Sequence, residues 1–264
     1  MYYLFTNRII AVIIKKKAIG CDAMHTYDTL IIGCSYMSVG YAVRKGNCII
    51  CEKTELCDTH FGAALCGFEV NNCSTCTDEG KKLLQIYNDM KLFKEGMQNL
   101  NAFECAFCKY ITYSGLDLLL KYRVIEVTFN DGIYEVTVMS NSGLDKLYAK
   151  NIKDFSNNGK DYITVQFVTS DIARDIPLLQ KEFGEAKVEK AFYDNRYAIY
   201  VPVGILDINM LKFDIYNKWK ACGTTAKILH IPSAMFSKYG EKICDEKFDS
   251  FVEAFEAGVK EAEK

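Results

Sequence analysis

The distribution of apolar residues near the start of the chain predicts a strand, a glycine turn, a helix and a second strand. Residues 27–32 (YDTLII) form a short run rich in β-forming residues that ends at Gly33. Residues 36–45 have the composition of a short helix, and residues 48–51 (CIIC) predict a second strand that ends at Glu52. Two strands joined through a helix in this way require a parallel sheet. The pattern therefore predicts an α/β fold.

Two more helices and an antiparallel meander are predicted after this unit. Apolar residues spaced three and four apart predict helices over residues 78–93 and 102–113. Residues 122–129 and 133–139 instead alternate between apolar and polar side chains, with an Asn-Asp-Gly turn between them. A further turn and residues 146–152 complete three antiparallel strands. The expected architecture is a parallel sheet with an antiparallel β-meander.

A polar stretch at residues 156–160 is the best candidate for a domain boundary. The residues beyond it alternate between predicted strands and helices in an α+β pattern, namely strands at 162–168, 187–192, 197–202 and 226–231, and helices at 173–183, 208–220 and 249–263. We therefore expect an α/β domain over residues 24–155 and a smaller α+β domain over 160–264, which would serve a substrate or a partner.

Residues 1–23 call for separate treatment, because their apolar run covers only residues 9–14 and is followed by three lysines. A membrane span needs about 20 apolar residues, and a signal peptide carries its positive charge before the apolar stretch. We expect no membrane insertion. A second methionine at position 24 suggests a loosely attached extension from an upstream start codon, and an additional edge strand is an equally good interpretation.

Composition narrows the class of protein further. The 32 basic and 34 acidic residues give a net charge of -2, so whole-chain charge offers no reason to expect a nucleic-acid partner. Twelve cysteines in 264 residues are too few for a disulfide scaffold and indicate cytoplasmic thiols. The oligomeric state is not indicated by these features.

The turn at Gly33 has the features of an anion site. A helix that begins directly after a strand presents backbone N–H groups and the positive end of its dipole to a ligand. A carboxylate at the end of the next strand, here Glu52, can accept hydrogen bonds from a ribose. On these residues the stretch 28–53 (DTLIIGCSYMSVGYAVRKGNCIICEK) resembles the amino terminus of FAD-dependent oxidoreductases of the glutathione-reductase-like Rossmann superfamily, as a degenerate or shortened member.

The resemblance implies that residues 24–155 form a Rossmann-like domain for FAD or NAD(P) and that the cofactor is FAD. It implies that the pyrophosphate lies on the turn, the ribose on Glu52, the flavin side beside the loop after Glu52 and the adenine against the meander. The residues so implied are Gly33, Cys34, Ser35, Tyr36, Met37, Ser38, Glu52, Lys53, His60, Phe61, Gly62 and Val124. No side chain stands out as an acid or base, so no catalytic residue, substrate or electron acceptor is named.

Two departures from the superfamily pattern leave a second function open. Ser35 and Ser38 stand where the glycine motif has its second and third glycines, and Asp154 is followed by Phe155-Ser156 in place of the usual flavin-seating motif. A shortened, cofactor-free relative that acts as a binding or partner subunit fits the same sequence.

Cysteine spacing leaves a third function open. Cys73/Cys76 and Cys105/Cys108 form a C-x2-C-x28-C-x2-C pattern that offers four thiolates to zinc, although a core position explains these side chains better. A third pair, Cys48 and Cys51, lies in a predicted strand, where residues three apart point to opposite faces. The preferred expectation is that no metal is bound.

Overall fold

The computed structural model describes a large part of the chain. The described residues are 25–54, 57, 75, 77–94, 97–98, 100–156, 162–184, 186–190, 195–204, 207–231, 241–243, 246–248 and 250–264. The prediction for residues 1–23 lies outside them.

The strand–helix–strand unit predicted from the first apolar runs is confirmed. Strand β1 (Thr26–Ile32) is followed by helix α1 (Tyr36–Lys45) and strand β2 (Cys48–Glu52). The two strands pair in parallel, with Thr29 opposite Cys48. All five residues of β2 are buried, as expected of a parallel strand that is covered on both faces.

The remaining elements follow in chain order. Up to the start of the meander these are α2 (Asp78–Asp89), β3 (Phe93–Lys94), β4 (Met97–Gln98), α3 (Leu100–Tyr113) and β5 (Asp117–Leu120). The meander consists of β6 (Arg123–Asn130), β7 (Ile133–Ser140) and β8 (Gly143–Asp154). The second half of the chain contains β9 (Tyr162–Val168), α4 (Ile172–Glu182), β10 (Val188–Lys190), β11 (Arg196–Pro202), α5 (Ile208–Ala221), β12 (Lys227–His230), β13 (Glu241–Ile243), β14 (Glu246–Phe248) and α6 (Phe251–Glu261).

Strand β8 joins the parallel sheet to the meander. The first sheet has the order β5-β2-β1-β8-β7-β6, parallel from β5 to β8 and antiparallel from β8 to β6. The first part of β8 pairs with β7, and its last residues pair with β1, so that Asp154 lies opposite Ile32. The fold is thus α/β, with the Rossmann-like parallel sheet and antiparallel meander that the sequence predicts.

One predicted helix is shorter than its apolar spacing indicates. The sequence predicts a helix over residues 78–93, but α2 ends at Asp89. Lys91 adopts a φ of 53°, in the left-handed region, and this conformation interrupts the helix. Phe93 then begins the short hairpin of β3 and β4.

The second sheet is antiparallel, in the order β10-β11-β9-β12. Residues of α4 and α5, including Leu179 and Ile215, pack with Phe167 in its core. Ala198 and Tyr200 of β11 belong instead to the core that contains α1, so this sheet is buried on both sides. The smaller α+β unit predicted after residue 160 therefore has its own antiparallel sheet.

The last helix, α6, crosses α1 in direct backbone contact. A Cβ atom placed on Gly258 would overlap the carbonyl oxygen of Met37, and one on Gly40 would overlap that of Phe255. Phe255 and Phe251 are buried in the same core as α1. The packing of α6 thus places this helix with the core of the first sheet, although the division predicted from the sequence groups it with residues 160–264. The domain boundaries themselves stay a prediction.

A buried carboxylate, Asp175, ties two loops of the second sheet together. It accepts hydrogen bonds from the Thr169 hydroxyl at 2.5 Å and from the Thr225 amide and hydroxyl at 2.9 and 2.8 Å. Burial alone raises the pKa of Asp175, but these hydrogen bonds outweigh burial and lower its pKa to about 2.

We expect Gly258→Ala to lower the free energy of unfolding by about 1–3 kcal/mol or more, because the new methyl group must force the two helix backbones apart. The measurement is the free energy of unfolding in urea. Gly204→Ala is the matched control, since a Cβ atom there meets no atom within 4 Å. Equal stability of the two variants would contradict the backbone contact.

We expect Asp175→Asn to lower stability at neutral pH by about 2 kcal/mol, the value of the pKa shift between the unfolded and folded states. The pKa of Asp175 is lowered from 3.8 to about 2 in the folded protein. Its carboxylate therefore contributes its full stabilisation above pH 3.8, and this stabilisation is lost as the pH falls through 2. Thermal unfolding between neutral and acid pH tests this. Asp214→Asn, which removes only a surface ion pair to Lys218, should change little at any pH.

Candidate functional site

The carboxylate of Glu52 lies at the carboxyl end of β2, beside the turn between β1 and α1. The side chain is only 4% exposed. Its Oε2 accepts a hydrogen bond from the Cys34 amide and its Oε1 accepts one from the Thr54 amide, both at 2.9 Å. Each oxygen of an ionised carboxylate has two lone pairs, so each can accept one more hydrogen bond. The backbone thus fixes the carboxylate where the resemblance implies a ribose.

Gly33 is required at the start of the turn for two reasons. Its φ of +92° lies in the region that side chains disfavour, and a Cβ atom would come within 2.7–2.9 Å of the backbone of Phe155 and Ser156. Its amide donates to the Cys51 carbonyl at 2.8 Å, and the Phe155 amide donates to the Ile32 carbonyl at 2.8 Å. The end of β8 therefore closes against the turn.

The two serines that replace glycines in the motif form a capping box for α1. The Ser38 amide donates to Ser35 Oγ at 3.1 Å, and the Ser35 amide donates to Ser38 Oγ at 2.7 Å. The Ser38 hydroxyl donates to the Ser35 carbonyl at 2.9 Å. Both side chains are fully buried, so the helix satisfies part of its own amino terminus internally.

This capping limits which amides of the turn face a ligand. The amides of Cys34, Ser35 and Ser38 bond to Glu52 and to the capping box. The side chains of Tyr36 and Met37, in the first turn of the helix, are buried in the core. The capping box was not predicted from the sequence, although Ser-x-x-Ser at a helix start is a signal for it.

The entry to the meander lies next to Glu52. The Tyr122 amide donates to the Glu52 carbonyl and the Lys121 amide to the Thr54 carbonyl, both at 2.9 Å. Lys53 is exposed, and Val124, on β6, packs against the buried face between the parallel sheet and the meander. The structure thus brings the Glu52 region and the start of β6 together. The other loop residues predicted for the site, His60, Phe61 and Gly62, lie outside the described residues.

A cluster of thiols and one carboxylate adjoins the turn. The Sγ atoms of Cys57 and Cys108 are 2.6 Å apart, and the donor atoms of Cys57, Glu104 and Cys108 all lie within 4.8 Å of one another. Cys57 is fully buried, whereas Cys108 and Glu104 are half-buried. The sequence paired Cys108 with Cys105 and with Cys73 and Cys76, of which the last two lie outside the described residues.

The environment of Cys57 disfavours its charged form. The hydrogen bond with Cys108 lowers the pKa of Cys57, but a hydrogen bond with Cys34, burial, and the charges of Cys34 and Glu104 raise it to a net value well above the ordinary one. Burial and these neighbours therefore favour the neutral thiol of Cys57.

The third cysteine pair does not form a site. Cys48 packs in the core on the helix side of the sheet, and Cys51 packs in the core on the meander side. Burial raises the pKa of Cys48 to about 11 and that of Cys51 to about 12. The prediction that these side chains point to opposite faces of the strand is confirmed.

Within the described part of the chain, no helix is both long enough and apolar enough to cross a membrane.

No protein-family model and no curated protein matches the sequence. Among solved structures the chain is similar to BexE, studied for oxidation during BE-7585A biosynthesis, with a TM-score of 0.54 and 11% identity over 90% of this chain and 61% of that one. It also matches a flavoprotein/dehydrogenase from Cytophaga hutchinsonii (TM-score 0.49, 14% identity, 89% of this chain and 77% of that one). A third match is p-nitrophenol 4-monooxygenase PnpA from Pseudomonas putida DLL-E4 (TM-score 0.48, 9% identity, 79% and 67%).

The likeness to BexE shows the fold alone, since the identity is only 11%. The fold is a Rossmann-like α/β fold, in agreement with the order of the sheet. The chain spans about three fifths of the length of BexE.

We expect Ser35→Ala and Ser38→Ala each to lower stability by about 1 kcal/mol, the usual cost of losing a helix cap. The double variant should cost clearly less than the sum, because either change alone breaks the reciprocal capping box. Urea unfolding of the three variants measures the coupling. Strict additivity of the two losses would contradict the capping box.

Proposed function

We propose that this chain binds FAD at the turn between β1 and α1 and acts as an FAD-dependent oxidoreductase-like protein. The observation that carries the proposal is the buried carboxylate of Glu52, which two backbone amides hold at the carboxyl edge of the parallel sheet. A carboxylate held there, next to a glycine turn and a helix amino terminus, fits an adenosine ribose and a pyrophosphate.

The residues of the turn fit such a cofactor in a restricted way. Glu52 would accept hydrogen bonds from the ribose hydroxyls through the carboxylate lone pairs that the amides of Cys34 and Thr54 do not use. The pyrophosphate would lie at the amino terminus of the ten-residue helix α1, where the helix dipole favours an anion. The capping box reduces the number of amides that this terminus offers, because the amides of Ser35 and Ser38 donate to its hydroxyls.

The other residues that the resemblance implies would surround the rest of the cofactor. Val124 would meet the adenine through its backbone, with Lys53 at the exposed rim, and the flavin side would lie near His60, Phe61 and Gly62. When bound, FAD supplies the redox chemistry, and the protein contributes position, electrostatics and exclusion of water.

The oxidoreductase part of the proposal extends what is known of BexE to this chain. BexE is described as acting in an oxidation, and the likeness covers 90% of this chain. Among the described residues the geometry marks out no acid, base or substrate-binding side chain, so the proposal names no substrate or electron acceptor.

A second function, that of a cofactor-free binding or partner subunit, is favoured by one specific observation. The capping box uses the amides of Ser35 and Ser38 that a glycine motif would leave to the phosphates. A chain that keeps the fold but has closed the phosphate site in this way would retain the sheet and the turn without the cofactor.

We expect the purified protein to carry flavin absorption bands or to take up added FAD. Glu52→Gln should lower FAD affinity by about 10-fold or more, because the loss of a hydrogen bond to a charged group costs about 1.5–3 kcal/mol. Quenching of flavin fluorescence on titration measures the affinity. Glu182→Gln is the matched control, since this carboxylate is exposed at the end of α4 and should not alter the affinity.

A third variant separates the two functions. In Ser35→Gly/Ser38→Gly the capping hydroxyls are gone and the amides of both positions are released. A colourless wild-type protein that ignores FAD, together with a glycine variant that binds it, would support the cofactor-free subunit. A folded protein in which neither form binds FAD would refute the FAD proposal altogether.

A further inference from the structure

Two segments that are distant in the sequence bring three metal-binding groups to one place. Cys57 follows β2 by five residues, and Glu104 and Cys108 lie on α3 four residues apart. Residues four apart lie on the same face of a helix, so the carboxylate and the thiol of α3 face the same side. Their donor atoms and that of Cys57 lie within 4.8 Å of one another.

We propose that Cys57, Glu104 and Cys108 bind one Zn²⁺ ion, with Cys34 as an outer partner that orients Cys57. This inference does not depend on FAD binding.

The donor set fits the chemistry of zinc. Zinc takes thiolate and carboxylate ligands, often as three protein ligands with a water molecule in the fourth position. Cys108 and Glu104 are half-buried, so solvent can supply that water. Softness also favours zinc over magnesium or calcium, because two of the three ligands are sulfur.

Cys34 provides the outer contact that metal ligands usually have. Its thiol forms a hydrogen bond with that of Cys57, and its own side chain is only 1% exposed. Partners of this kind fix the orientation of a ligand and contribute about 10–100-fold to metal affinity.

A disulfide between Cys57 and Cys108 explains less of the arrangement of these three side chains than a zinc ion does. It would join two sulfurs that are 2.6 Å apart, but it would assign no role to Glu104. Zinc–sulfur bonds of about 2.3 Å at a tetrahedral angle separate two sulfurs by about 3.8 Å, so zinc binding would move these two sulfurs apart by about 1 Å.

The test uses the full chain, purified under reducing conditions and loaded with Zn²⁺. We expect one zinc per chain by elemental analysis, and an affinity that competition with a chromophoric chelator can measure. Cys108→Ser and Glu104→Gln should lower that affinity by about 100-fold and about 10-fold or more, respectively, and Cys34→Ala by about 10-fold. Co²⁺ in place of zinc should give thiolate charge-transfer absorption that Cys108→Ser weakens.

Two control variants fix the identity of the ligands. Cys105→Ser removes the exposed thiol of α3 one turn away from Cys108, and zinc affinity should remain unchanged. Cys73→Ser/Cys76→Ser should likewise retain zinc. Loss of zinc in either control, with retention in Cys108→Ser, would overturn the proposed ligand set.

A measurement on the unchanged chain covers the case in which a variant fails to fold. With zinc bound, alkylation should spare Cys108 and modify Cys105, and a chelator should make both reactive; peptide mass spectrometry distinguishes the two sites. Absence of bound zinc overturns the proposal. So does a chain lighter by two hydrogens in which the Cys57 and Cys108 peptides are joined.

Discussion

The hydrogen bond from the Cys34 amide to Glu52 is the interaction on which the geometry of the site depends. It connects the turn after β1 to the end of β2 at 2.9 Å, and the Thr54 amide completes the support of the same carboxylate. A carboxylate that is 4% exposed needs such donors, because burial without hydrogen bonds is costly. The donors that make this burial tolerable also hold the turn in register with the sheet edge.

The backbone amides at the start of a helix can either be capped, which stabilises the helix, or bind a ligand. An uncapped helix amino terminus offers its N–H groups to an anion, whereas a capping box satisfies two of them internally. Ser35 and Ser38 give this chain the second arrangement. The site is therefore better capped and poorer in phosphate donors than a glycine-rich turn.

The local elements of the fold were predictable because they depend on nearest neighbours in the sequence. The apolar run before Gly33 and the helix over residues 36–45 follow from composition, and the meander follows from alternation and its Asn-Asp-Gly turn. The contact of α6 with α1 was not predictable in this way. It depends on Gly40 packing against Phe255 and Gly258 packing against Met37, across more than 200 residues of chain, and a single helical glycine is an ambiguous signal.

The residues of the candidate site also differ in whether the local sequence could predict them. Glu52 was identifiable because its position at a strand end follows from the local pattern. The proximity of Cys57 to Cys108 was not, because spacing along the chain favours pairs such as Cys105 and Cys108, and a helix places residues three apart side by side whether or not they act together. Only the approach of α3 to the segment after β2 distinguishes the exposed Cys105 from Cys108.

Cys34 belongs to both of the sites that we propose. Its amide supports Glu52, and its thiol bonds to that of Cys57. A displacement of this one residue would therefore change the orientation of the carboxylate and of a zinc ligand together. If binding at one site displaces Cys34, the binding free energy at the other site changes with it, and thermodynamic linkage makes that coupling equal in both directions.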